Sequence, residues 1–248
     1  MSERTAIFGL HAVTGFIDTA PDRVEALWLD EQRQDKRVRA LAARAEDAGV
    51  SIHWGDRKRL DKLSGGGRHQ GAVAEVRPRS AGSERDLERI LAEAAGPVLL
   101  LVLDGVQDPH NLGACLRTAD GAGADAVVVP RDRACGLTAT VRKVASGAAE
   151  TVPFIQVTNL ARTMRLLQHA GVRLVGTAGE ASSDLYQADL TGPLALVLGA
   201  EGKGLRRLTR EHCDELIRIP MLGGVESLNV SVATGICLYE ARRRMAPD

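Results

Sequence analysis

The sequence predicts an α/β protein: a mainly parallel sheet covered by helices in the second half, with a smaller α/β unit in front of it. Three observations carry this. From residue 97 onward, short apolar runs alternate strictly with helix-patterned segments. The run Val98-Leu99-Leu100-Leu101-Val102-Leu103 is apolar at every position. That is the pattern of a strand buried on both faces rather than one with a wet face. Gly96-Pro97 punctuates the chain just before this run, and a shorter α/β pattern precedes it.

The elements follow in order. Residues 24–29 form a short strand, and 36–48 a helix stopped by Gly49. Residues 50–54 form a strand, 57–63 a short basic helix and 72–76 a last strand closed by Pro78. These make a first domain, 1–78, which holds a glycine loop, Ser64-Gly65-Gly66-Gly67-Arg68-His69-Gln70. Pro78, Ser80, Gly82 and Ser83 mark 79–96 as a flexible linker with a charged, helical stretch over 84–93. In the second domain, 97–248, strands are expected at 98–103, 126–129, 152–157, 172–176, 194–198 and 216–219. Helices are expected at 111–120, 138–145, 160–170 and 228–244, with Asn159 capping the third.

Composition narrows the function classes. The 32 basic and 32 acidic residues cancel, which argues against a protein that coats nucleic acid indiscriminately. Aromatic residues are only 3% of the chain, so an aromatic base-stacking platform is not expected. The longest apolar run is far too short to span a bilayer, and the first ten residues carry no signal-peptide stretch. Cys115, Cys135, Cys213 and Cys237 are scattered, with no CxxC pair. No disulfide framework and no metal site are expected, and a reducing cytoplasm fits best.

In an open α/β sheet, ligands sit at the carboxyl ends of strands. Three such ends carry unusual residues. The first is Asp104-Gly105-Val106-Gln107-Asp108-Pro109-His110-Asn111-Leu112-Gly113, a strand-to-helix turn with Asn111 at the expected cap and Arg117 six residues on. Alone it reads as a capped helix with a solvated arginine. The second is Leu198-Gly199-Ala200-Glu201-Gly202-Lys203-Gly204-Leu205, whose glycines let backbone approach a ligand closely. It is neither a Walker A loop nor a dinucleotide fingerprint, because Gly204 stands where Ser or Thr is required and Arg207 where a third glycine is required. The third runs from Ile219-Pro220-Met221-Leu222 to a helix that opens with Ser227, Asn229 and Ser231, more small polar groups than one cap needs.

In this order and spacing, the three segments closely resemble the motifs of the SpoU/TrmH branch of the SPOUT methyltransferases, over residues 97–245. Within that branch the chain looks most like the bacterial 23S rRNA guanosine 2′-O-methyltransferases, and Ile7-Phe8-Gly9-Leu10-His11-Ala12-Val13 resembles the opening of their N-terminal L30e-like domain. The resemblance implies a SPOUT domain with a deep trefoil knot, a homodimer with active sites at the subunit interface, and S-adenosylmethionine as cofactor. It implies cofactor contacts from Thr177, Ala178, Gly179, Gly199, Ile219, Met221, Ser227 and Leu228. Arg117 matches the family's essential arginine, Asn111 and Glu201 are expected to hold it, and Ser227 and Asn229 to position cofactor and ribose.

The long last helix fits the dimer role through Val230, Ala233, Cys237 and Ala241, a stripe that would equally pack on its own sheet. Arg242-Arg243-Arg244 reads as a solvated helix end. Two basic groups, Arg33, Lys36, Arg37, Arg39 and Arg44, and Arg57, Lys58, Arg59, Lys62 and Arg68, tilt towards phosphate contact. The expected substrate is 23S rRNA. The alternatives are the same chemistry on tRNA or another rRNA site, or a non-catalytic ribosome-assembly factor, against which the presence of Arg117, Asn111 and Glu201 argues.

Overall fold

In the computed structural model, residues 5–33 and 35–245 are described. The chain divides into two units, Met1–Arg79 and Ser80–Asp248.

The first unit contains β1 (Thr5–Phe8), α1 (Leu10–Thr19), β2 (Val24–Asp30), α2 (Lys36–Asp47), β3 (Ile52–Gly55), α3 (Arg57–Leu63) and β4 (Ala72–Val76). The sheet order is β1-β4-β2-β3, with β4 antiparallel to both neighbours and β2 parallel to β3. Val38, Leu41 and Ala45 recur at helical spacing on α2 and are buried against Leu27 and Leu29 of β2. Asp35 caps α2, accepting from the Arg37 and Val38 amides at 3.0 and 3.3 Å, and Asp56 caps α3 through the Arg59 amide at 2.8 Å. The sequence pattern did not mark β1 and α1. Helix α1 carries two threonines and Gly15, all weak helix formers, and burial of Val13, Phe16 and Ile17 decides its state.

The second unit contains α4 (Glu84–Glu93), β5 (Leu99–Asp104), α5 (Pro109–Gly121), β6 (Ala126–Pro130), α6 (Ala139–Ala145), α7 (Ala148–Thr151), β7 (Phe154–Val157) and α8 (Leu160–His169). It continues with β8 (Arg173–Thr177), β9 (Ser183–Asp184), β10 (Leu194–Gly199), α9 (Arg207–Glu211), β11 (Glu215–Arg218) and α10 (Val230–Met245). The sheet order is β7-β6-β5-β10-β8-β11-β9, and every pairing among the described residues is parallel. Strand β5 feeds two cores at once. Leu99, Leu101 and Leu103 pack with α5 and α10, while Leu100 and Val102 pack with α4 and α8. Each such leucine withdrawn from water stabilises the fold by about 2 kcal/mol.

Several expectations are corrected. Residues 80–96 belong to the second unit rather than to a loose linker. Gly82 forms a parallel bridge with Ile155, its amide donating to the Phe154 carbonyl at 2.8 Å. A Cβ there would meet the Ile155 side chain at 2.7 Å, so glycine serves close approach. Ser83 and Asp86 form a capping box, and Leu87 is fully buried. The cap of α5 is Asp108, which accepts from the His110 amide at 2.8 Å, with Pro109 opening the helix; Asn111 lies inside the first turn. Helix α10 begins at Val230, and Val230, Cys237 and Ala241 are buried in its own unit, so this stripe is not a free face. Arg242 donates to the Ala122 carbonyl at 2.9 Å, and Arg243 and Arg244 pair with Glu240, so this helix end is bonded rather than merely solvated.

Candidate active site

The order of the strands places a crevice at the carboxyl ends of β8, β10 and β11, beside the switch between β5 and β10. A cleft of about 760 Å³ occupies it. Thr177, Ala178 and Gly179 line it from the β8 end, Gly199 from the β10 end, and Ile219 and Met221 after β11. Ser227 and Leu228 complete it ahead of α10, so all eight cofactor positions expected from the sequence face one cavity.

Gly199 explains the shape of one wall. The loop after β10 folds back on the strand, with Gly204 donating to the Ala200 carbonyl at 2.8 Å. A Cβ on Gly199 would sit 2.0 Å from the Gly204 carbonyl carbon, so no other residue permits this turn. Gly202 and Gly204 have φ of 73° and 62°, the left-handed region that glycine enters without strain. The loop is tied at its far end by Asp104. This fully buried carboxylate closes β5 and accepts from the Arg206 amide at 2.9 Å and from Arg206 Nε at 2.5 Å. Neither residue had a role assigned from sequence. The available signal was a lone acid ending an otherwise apolar strand. On the opposite wall, the guanidinium of Arg210 pairs with Glu180 and holds its carboxyl below the usual carboxylate range.

The three sequence motifs meet through a chain of hydrogen bonds. Asn111 Nδ2 donates to Glu201 Oε2 at 3.3 Å, and Asn229 Nδ2 donates to Asn111 Oδ1 at 2.9 Å. Asn229 Oδ1 in turn accepts from the Ser231 amide at 2.9 Å and its hydroxyl at 2.6 Å. Both asparagine amides thus have a defined orientation, and Glu201 joins the chain to the cleft.

Arg117 is not part of this chain. Six residues beyond Asn111 on α5, it points about 240° around the helix axis from it. It is exposed, and its side chain makes no hydrogen bond or ion pair among the described residues. Asn111 and Glu201 bond each other instead of holding the arginine, because helical periodicity turns it to another face.

The chain is similar to known proteins along most of its length. The model of the SpoU rRNA Methylase family matches residues 98–239, and that for RNA 2'-O ribose methyltransferase substrate binding matches residues 6–81. The chain is 57% identical over 244 residues to the 23S rRNA (guanosine-2'-O-)-methyltransferase RlmB of Pseudomonas syringae pv. tomato, covering 98% of this chain and 97% of the relative. It is 57% identical over 238 residues to RlmB of Escherichia coli strain K12, covering 96% and 98%. The solved structure of an AdoMet-bound rRNA methyltransferase from Sinorhizobium meliloti matches with a TM-score of 0.73 at 26% identity, covering 98% of this chain and 88% of that one. The chain belongs to the SpoU rRNA methylase family.

Proposed function

We propose that this chain is an S-adenosylmethionine-dependent enzyme that methylates the ribose 2′-hydroxyl of a guanosine in 23S rRNA. The observation that carries the reading is the cleft lined by the second and third motif segments and tied to the first by the bonds of Asn111 to Glu201 and Asn229, in a chain 57% identical to RlmB relatives along almost its whole length.

The cleft fits the cofactor. Leu198, Ile217 and Leu228 offer apolar wall to an adenine, and the lining carries both carboxylates (Glu201, Glu226) and cations (Lys203, Arg218), which suit a ligand that bears charges of both signs. When bound, S-adenosylmethionine supplies a methyl group already activated on a sulfonium. The protein then has to align the ribose hydroxyl and manage its proton. Asn111, Glu201, Asn229 and Ser227 are the positioning groups in this reading. A guanidinium is a poor base, so Arg117, which faces away from its own chain's cleft, serves in this reading to hold an RNA phosphate and stabilise the developing alkoxide at a site completed by a second subunit.

The active unit in this reading is a cytoplasmic homodimer with a trefoil-knotted catalytic domain. Dimerisation is supported by the exposed Arg117, whose side chain has no partner among the described residues, and by Val232 and Tyr239, which stand 50% and 56% exposed on α10. A second subunit would give both an occupant. The knot rests on the family resemblance. A cytoplasmic place is supported by four free cysteines.

The test is methyl transfer from labelled cofactor to unmethylated 23S rRNA, with the wild-type chain and Arg117→Ala. Label at one guanosine 2′-oxygen, reduced about 100-fold or more in the variant, is the expected result. Label only on tRNA would replace the substrate. Cofactor binding without transfer to any RNA would favour an assembly factor.

A further inference from the structure

A second cavity, of about 710 Å³, lies wholly within the first unit. Arg33, Arg37, Arg57 and Arg68 surround it, together with Asp30 and Asp61. The charges are unevenly engaged. Arg33 is occupied by Asp35 at 2.8 Å and by the Gln70 carbonyl. One oxygen of Asp30 accepts from the Gln32 amide at 3.0 Å, and one oxygen of Asp61 meets His69 Nε2 at 3.1 Å. Arg37, Arg57 and Arg68 are exposed and make no side-chain hydrogen bond or ion pair among the described residues. Three unpaired cations around one concavity repel each other, and an anion placed between them removes that cost.

The wall that carries Arg68 is built rather than slack. His69 is buried, and its Nδ1 accepts from the Gly71 amide at 3.0 Å, which leaves the proton on Nε2 facing Asp61. The Gly66 amide donates to the Asp61 carbonyl at 2.9 Å. A Cβ on Gly67 would lie 2.4 Å from the Phe8 ring, so this loop is pressed against β1. The cavity is therefore preorganised.

Its size selects the ligand. The volume falls in the range of sites that enclose a nucleotide-sized molecule and far exceeds what one phosphate fills. A duplex backbone, by contrast, is met by an open basic surface. Sequence-selective RNA binding works on unstacked nucleotides held by their edges and by guanidinium planes. We propose that this cavity takes one extruded nucleotide of the RNA strand, with its phosphates on Arg37, Arg57 and Arg68 and its base against the Asp61 carboxylate and the glycine loop. This rests on reading the chain as an RNA enzyme and adds the site by which its first unit grips the substrate.

The test uses the full chain. Backbone amide signals of residues 65–71 are followed by NMR during titration with 5′-GMP and, separately, with inorganic phosphate. GMP should give saturable shifts at about millimolar concentration, and phosphate much smaller ones. Filter binding to unmethylated 23S rRNA then compares Arg57→Ala/Arg68→Ala with Lys58→Ala/Lys62→Ala, which removes the same charge from positions outside the cavity lining. The arginine pair should weaken RNA binding about tenfold or more, and the lysine pair by about twofold or less. Equal losses from the two pairs, equal shifts with GMP and phosphate, or no shifts with either would overturn the proposal. Failure of the wild-type chain to methylate any RNA would instead sink the functional reading, and the GMP response would still decide the cavity.

Discussion

Asn229 donates its side-chain amide to the Asn111 carbonyl oxygen at 2.9 Å, joining residues 118 positions apart. One bond thus locks the start of α10 to the first turn of α5 and hands Asn111 a fixed orientation towards Glu201.

Breaking that bond should hurt chemistry more than folding. Asn229→Ala is expected to lower methyl transfer about 100-fold, while urea unfolding shifts by about 1 kcal/mol, the worth of an ordinary hydrogen bond. Steady-state kinetics beside a urea titration reads both. A stability loss large enough to account for the activity loss would reduce Asn229 to a structural role.

Asp104 and Arg206 should respond unequally to mutation. The Asp104 side chain is 0% exposed and that of Arg206 44%. Arg206→Ala strands a buried carboxylate and is expected to cost about 3 kcal/mol, whereas Asp104→Asn frees an arginine that water can reach and costs less. Both should weaken cofactor binding, because both release the loop that carries Glu201. Calorimetry of folding and of cofactor binding distinguishes the two effects, and equal stability losses would contradict this account.

Gly199→Ala tests the backbone turn. The added methyl would overlap the Gly204 backbone, so the variant should lose about 2 kcal/mol or more and bind cofactor at least tenfold more weakly. Unchanged binding would mean that the loop is free to move aside.

Acid should act through Glu240. Its carboxyl accepts from Arg243 at 2.7 Å and from Arg244 at 3.0 Å, and these guanidiniums, Arg243 first, hold it at about 2 rather than at its ordinary 4.5. A value depressed by folding contributes stability that is complete above 4.5 and is lost as pH falls towards 2. Glu240→Gln should therefore cost about 1 kcal/mol at neutral pH, and thermal melts of variant and wild type should converge across that window. A pH-independent gap would contradict the assignment.

Thiol reactivity should follow burial. Burial pushes Cys115 up to about 11 and Cys213 and Cys237 up to about 12. The thiolate is the reactive form, so these three should resist a disulfide reagent at pH 8 until the protein unfolds. Cys135 and Cys213 are both half-buried and burial raises both thiols, but Cys213 also faces the Asp214 and Asp104 carboxylates and reaches about 12, so Cys135 should react first. Rapid modification of all four in the native state would mean that the second unit opens readily.

Much of the fold was readable because its strands are buried on both faces and write themselves as unbroken apolar runs, β5 and β10 above all. Glycines and small polar residues clustered at strand ends pointed to the region of the cleft, while the individual cofactor positions came only with the family resemblance. What escaped was decided by tertiary contact. Gly82 and Ser83 look like linker residues, yet one makes room for Ile155 and the other caps α4. Helices α7 and α9 are too short to show a period. Arg117 follows Asn111 closely in sequence, and only the turn of the helix shows that they face different ways.

The pairing of β5 with β10 also sets the order in which a new chain can become safe. Strand β5 leaves the ribosome well before its central neighbour, and until β10 arrives it presents an unbroken hydrophobic ribbon with an open edge. The buried Asp104 waits as well, 102 residues ahead of the arginine that neutralises it. Non-local pairing of this kind folds slowly. The same strand that anchors the centre of the finished sheet is the one that leaves the half-synthesised chain open to aggregation.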